Sequence, residues 1–146
     1  MVTDIHCHFI PAELFKFMQA HDDFALKLKV HDGERIDIDV RGMHFGLNPT
    51  FFEPARQIER MKTLGIDRTV ISLATPLVNY HADGKVAVEA ARLCNDGFAQ
   101  TIKANPNRFQ AWAFLPMQDP QSAERELRRC VRDYGFVGGH VASNVR

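Results

Sequence analysis

Short apolar strands separated by amphipathic helices at a regular interval constrain this chain more than any other feature. Val2–Phe9, Arg68–Ala74, Phe109–Leu115 and Val137–Val145 each read as a buried strand, short and rich in β-branched or aromatic residues. The helices between them are clearly punctuated. Pro54 opens one whose apolar stripe, Ile58, Met61 and Leu64, runs to a stop at Gly65. A longer one spans Asp83 to Ala104, with Val86, Ala90, Leu93, Cys94 and Phe98 on one face. Asp119-Pro120 starts a third by the cap-then-proline pattern, turning Ala123, Leu127, Cys130, Val131 and Tyr134 inward before Gly135.

A spacing of about 30 to 40 residues between successive strands is the rhythm of parallel strands joined by right-handed crossovers. Four such strands can form a small open sheet or the first four of a barrel that typically needs about 250 residues. A parallel sheet ending on a bare fourth strand would expose an unprotected edge. The fold expected is therefore α/β, the N-terminal half of a (β/α)8 TIM barrel, with residues 1–146 forming a single partial domain.

One stretch breaks the rhythm. After a short helix from Pro11 to Ala20, with Leu14, Phe15 and Met18 at helical spacing, residues 21–52 mix charge with Gly33, Gly42, Gly46 and Pro49 around a strand-like Ile36-Asp37-Ile38-Asp39-Val40. This reads as an inserted loop with a small hairpin, and an insert of this length often serves as a lid over a site.

Lys plus Arg and Asp plus Glu both number 18, with no polybasic run, which argues against nucleic acid or an anionic membrane and for a small-molecule partner. No apolar stretch approaches the roughly 20 residues needed to span a bilayer. Three cysteines at unrelated spacings, without a signal-peptide pattern, suggest the reducing cytoplasm.

Chemistry concentrates in Asp4-Ile5-His6-Cys7-His8. Strand side chains alternate with period two, so His6 and His8 should project to one side at the strand's C-terminal end, where parallel barrels keep their active sites. Paired imidazoles suit zinc and related first-row ions. Ile5 and Cys7 should point the other way, the thiol packing against the helices, and Asp4 should orient a ligand ring from one layer deeper.

Asp4-Ile-His-Cys-His-Phe-Ile-Pro-Ala-Glu-Leu resembles the opening of the amidohydrolase-2 family, and especially its muconate-semialdehyde decarboxylase members. The likeness continues through Pro54-Ala-Arg-Gln-Ile-Glu-Arg-Met-Lys-Thr-Leu-Gly-Ile, Leu93-Cys-Asn-Asp, Asn105-Pro-Asn-Arg-Phe, Leu115-Pro-Met-Gln-Asp-Pro and Tyr134-Gly-Phe-Val-Gly-Gly. It implies that His6 and His8 bind a divalent metal, zinc or alternatively manganese. For the parent enzyme it implies non-oxidative decarboxylation of an aromatic or muconate-type carboxylic acid. Metal-dependent hydrolysis of an amide, lactone or ester is the alternative, and a catalytically inert half-barrel fragment is the third reading. A homodimer is also suggested by family likeness. The family's remaining ligands and its acid/base group come from its fifth, sixth and eighth strands, so no catalytic residue is assigned within this chain.

The closest family members carry a carboxylate-binding arginine shortly before the segment matching Phe52-Glu53-Pro54, where this sequence has Asn48-Pro49-Thr50. Arg41, seven residues further upstream, is the candidate substitute, able to clamp a carboxylate if the insert folds over the site. Thr75, just after the second predicted barrel strand, is a second candidate substrate contact or else a turn residue. His44 and His81 are expected in solvated loops. Trp112 and Phe114 should belong to the barrel or helix-facing core, the charged run Arg125 to Arg132 to a solvated face, and His140 to a strand without a ligand role.

Overall fold

The computed structural model describes residues 1–31 and 35–143. Strand β1 (Thr3–His8) leads into helix α1 (Ala12–Ala20), then β2 (Leu26–Val30), β3 (Ile36–Val40) and β4 (Met43–Leu47). Helix α2 (Pro54–Leu64), strand β5 (Arg68–Ser72), helix α3 (Gly84–Ala104), strand β6 (Phe109–Phe114), helix α4 (Pro120–Tyr134) and strand β7 (Gly138–His140) follow. Strands β1, β5, β6 and β7 form one parallel sheet in that spatial order. The order never reverses, so the sheet is wound in one sense, as in a barrel, and not doubled back as in an open nucleotide-binding sheet. Of the predicted fourth strand, Val137–Val145, only Gly138–His140 pairs, and residues 144–146 lie outside the described ones.

The helix boundaries follow their predicted signals. Pro54 occupies the first turn of α2, and Gly65 ends the helix in the left-handed region at φ 67°. Asp83 caps α3 through the Lys85 amide, and Asp119 caps α4 through the Gln121 and Ser122 amides. The predicted inward faces need two corrections. Leu64 and Val131 are exposed, at 57% and 46%. In α4 the buried line runs Ser122, Glu126, Cys130 at a spacing of four, and Val131 stands about 100° round the helix from Cys130. In α2 the buried positions are Gln57 and Met61, again four apart, and Leu64 falls in the last turn beyond them.

The insert is more regular than a loop with a hairpin. β2, β3 and β4 make a three-stranded antiparallel meander, with a two-residue Arg41-Gly42 turn whose φ values, 52° and 83°, match the tight turn favoured between twisted strands. Gly33 lies outside the described residues. Ile38, Val40 and Leu47 are buried in the same core as Leu14, Met18 and Phe24, which packs the meander onto the rest of the chain. Close approach explains Gly97: a Cβ there would sit 2.3 Å from Cβ of Pro11, so α3 and the start of α1 meet at this point.

Candidate metal centre

The edge of the sheet that carries the histidines is shaped by an irregularity in β1. Asp4 pairs with Thr69 and Cys7 with Ile71, so three steps along β1 match two along β5. Such a bulge inserts one residue and re-aims the side chains around it. It also explains two departures from strict alternation. Ile5 does not share the burial of Cys7; it is 67% exposed. Asp4 turns its carboxylate back to accept the His6 backbone amide at 3.0 Å, bracing the bulge and orienting no imidazole. Trp112 braces it from the other side, its indole N–H donating to the Ile5 carbonyl at 3.0 Å. That indole crosses over Gly138, where a Cβ would lie 2.8 Å from the ring, so the glycine keeps the path open.

Cys7 packs as expected. Its thiol is buried, accepts a hydrogen bond from the buried Gln57 amide of α2, and has its pKa raised chiefly by burial. A neutral, enclosed thiol is a poor metal ligand.

His6 and His8 share one side, their ring centroids 4.8 Å apart and nearly perpendicular. Two imidazoles bound to one ion at about 2.1 Å and at angles of about 90–120° would hold their centroids roughly 4.6–5.6 Å apart. The observed pair falls inside that range. His8 has its pKa lowered, mainly by burial and further by His6 and His140, which favours the neutral imidazole that can ligate. Ser72 at the end of β5 stands 3.4 Å from Nδ1 of His8 and steadies the ring. Among the described residues, no group of three or more His, Cys, Asp or Glu side chains could hold a metal ion. The residues present therefore fit a metal as two members of a larger ligand set.

His140, expected on a strand without a ligand role, is brought to the same place. β7 pairs His140 with Phe114, and its ring centroid lies 6.3 Å from that of His6. Its pKa is lowered by burial and by His6. Its Nδ1 is buried without a hydrogen-bond partner. The expected strand Val137–Val145 put His140 in mid-strand, whereas the paired segment ends at His140 and so leaves it at the same edge of the sheet as His6.

The two substrate-contact candidates have local surroundings of their own. Arg41 donates from Nη2 to the Asp23 carbonyl at 2.7 Å, an acceptor it shares with the Asn79 side-chain amide of the connection after β5. Thr75 is exposed in the turn directly after β5. No hydrogen bond joins either to His6 or His8. The run from Arg125 to Arg132 is only partly the solvated face expected. Glu126 is buried and Arg129 is largely so, paired at 2.6 Å, with Arg129 also reaching Asp96 at 2.7 Å.

Residues 3–146 match the family model described as amidohydrolase. The chain belongs to that family. It is 45% identical over 86 residues to gamma-resorcylate decarboxylase of Polaromonas sp. (strain JS666 / ATCC BAA-500), an alignment covering 59% of this chain and 26% of that protein. It is 28% identical over 144 residues to 2-amino-3-carboxymuconate-6-semialdehyde decarboxylase of Dictyostelium discoideum, covering 97% of this chain and 40% of that one. The solved dihydroxybenzoic acid decarboxylase from Polaromonas sp. JS666, with bound manganese and the inhibitor 2-nitroresorcinol, superposes with a TM-score of 0.62 at 30% identity. That superposition covers 94% of this chain and 37% of the solved one. The chain thus spans about a quarter to two fifths of the length of these relatives, and the partial barrel expected from its strand rhythm agrees with them.

Proposed function

We propose that this chain is the metal-binding N-terminal part of a non-oxidative, metal-dependent decarboxylase acting on an aromatic or muconate-type carboxylic acid. One observation carries the reading: two imidazoles spaced for a shared ion at the C-terminal edge of a singly wound parallel sheet. The decarboxylases among the relatives, one with manganese bound, support the reaction class and a divalent ion, zinc or manganese. Residues 1–146 act as one partial barrel domain with 21–52 as its insert.

When bound, a divalent ion supplies Lewis-acid polarisation of substrate oxygens. His6 and His8 hold it, Ser72 fixes the His8 ring, and Trp112 with Asp4 sets the bulge that aims His6. Thr75 stands at the rim for a substrate oxygen. Arg41 serves a carboxylate once it exchanges the Asp23 carbonyl for that stronger acceptor. The proton that replaces the carboxylate on carbon is assigned to no residue of this chain. Three buried, unbridged cysteines suit residence in the reducing cytoplasm, and no helix among the described residues is long and apolar enough to cross a membrane. A homodimer is the assembly the family suggests, which sedimentation would test.

Catalytic sites hold an ion such as zinc with about three protein ligands. The 146-residue chain alone is therefore expected to take up metal weakly and to turn nothing over. A stoichiometric, tightly held ion in the purified chain, measured by mass spectrometry, would overturn that expectation. For the reaction, the polypeptide expressed along its full reading frame is given carboxylated aromatics such as 2,6-dihydroxybenzoate. Release of CO2 supports decarboxylation; release of ammonia or an alcohol from amide or ester substrates without CO2 would establish hydrolysis in its place.

A further inference from the structure

His140 is the polar group at this edge that no structural role explains. Its ring makes no hydrogen bond with any described residue. Nδ1 is sealed without a partner, while Nε2 is not among the buried unpartnered atoms and remains the ring's open position. Buried polar atoms in native proteins are nearly always satisfied, so a half-buried imidazole with neither nitrogen engaged signals a missing partner. Placement shows what kind of partner. His6 neighbours both other rings, with centroid separations of 4.8 Å to His8 and 6.3 Å to His140. The first fits two ligands of one ion. The second fits only a near-linear pair, since cis ligands at about 2.1 Å would bring the centroids to roughly 4.6–5.6 Å. His140 thus stands one step beyond direct coordination, at the distance of an atom that itself approaches the ion.

The surroundings narrow the chemistry. The Trp112 indole covers Gly138, two residues before His140 on the same strand, and alternation puts both positions on one face of the sheet, so His140 shares that face with an indole. Among the described residues, no carboxylate forms a hydrogen bond or ion pair with His140. A donor beside an aromatic wall, free of competing acids, suits an oxygen of a planar anion.

We propose that His140 contacts the substrate, donating from Nε2 to an oxygen of an aromatic carboxylate seated between the metal position and Trp112. This deepens the decarboxylase reading and rests on the metal site of His6 and His8.

The test uses the protein expressed over its full reading frame and loaded with Zn2+ or Mn2+, with 2,6-dihydroxybenzoate as probe. Metal content by mass spectrometry is measured first, and probe affinity by calorimetry second. His140→Ala is expected to keep its metal and to bind the probe about 10-fold or more weakly, the effect of losing one hydrogen bond to a charged group. His140→Gln, which preserves a donor of similar reach, should restore affinity to within about 3-fold of the parent. Unchanged probe affinity in the alanine variant would overturn the assignment. So would a parallel loss of metal in both variants, because His140 would then be a ligand. If the parent protein takes up no metal, the metal reading falls at the first measurement and this proposal with it, whereas the other two failures leave the metal reading standing.

Discussion

Two polar clusters in this chain differ in how completely their hydrogen-bonding capacity is used. Beneath α3 and α4, Asn95 donates to the Phe114 carbonyl at 2.9 Å and to Glu126 at 2.8 Å, and accepts the Phe114 amide at 2.9 Å. Glu126 in turn takes two bonds from Arg129, which also binds Asp96 and Tyr134. At the open edge of the sheet, among the described residues, His8 has one long contact to Ser72 and His140 has a buried nitrogen without a hydrogen-bond partner. A saturated cluster ties elements together, whereas an unsaturated one keeps hydrogen-bonding capacity in reserve.

The largest effect expected from this contrast is on metal affinity. His6→Ala or His8→Ala should lower it by more than about 100-fold, since even partners that merely orient a ligand are worth 10- to 100-fold. Unfolding by urea should barely register His6→Ala, because that side chain is exposed. An equal loss of stability would place the pair with the structural cluster.

Asn95→Ala should do the reverse. It removes the side-chain partners of a buried amide and carbonyl of β6 and one of the bonds to Glu126, so stability should fall by about 2 kcal/mol or more in denaturant titrations. Metal affinity should stay within about 2-fold of the parent value. If metal binding were to collapse instead, the two clusters would be one cooperative unit and the distinction would fail.

These two regions were unequally legible in the sequence. Parallel strands, helix caps and glycine stops follow from local patterns, and Thr3–His8, Arg68–Ser72 and Phe109–Phe114 formed where alternation and turn residues placed them. The pairing of His6 with His8 was readable because alternation puts both on one side, while the exposure of Ile5 was not, because the bulge between Asp4 and Cys7 is a property of register with β5. Asn95, Glu126 and Arg129 look like ordinary helix-surface residues until the packing of α4 on α3 encloses them. β2 and β4 were missed for a related reason. Leu26-Lys-Leu-Lys-Val alternates well but is too short to declare a strand without the partner β3 supplies, and Met43-His-Phe-Gly-Leu carries a glycine that weakens the pattern.

A third variant probes the tight contact that seats α1 against α3. Gly97→Ala would force a methyl group into the rigid ring of Pro11, and overpacking of that kind should cost about 1–2 kcal/mol of stability. Gly65→Ala, a glycine with open space around it, should cost about 1 kcal/mol, through backbone conformation alone. If the first substitution proved harmless, the segment following β1 would be yielding, and the histidines just upstream would lack a firm base.

The smallest effect separates the clusters by pH. Burial opposes ionisation of Glu126, but the Arg129 and Asn95 hydrogen bonds outweigh it, and the carboxyl titrates below the ordinary glutamate range. Its stabilising contribution is therefore fully present above the unfolded value, about 4.3, and is lost as pH falls through the folded one. Stability measured from pH 5 downward should decline, and Glu126→Gln should flatten that decline at the cost of a lower starting stability. His8 acts in a different window. Its lowered pKa means the unfolded chain takes up protons first, so its effect appears as pH falls below about 6.5, where protonation also competes with metal. A Glu126→Gln variant that kept the full acid decline below pH 4 would assign the sensitivity to other carboxylates and leave the saturated cluster indifferent to proton uptake.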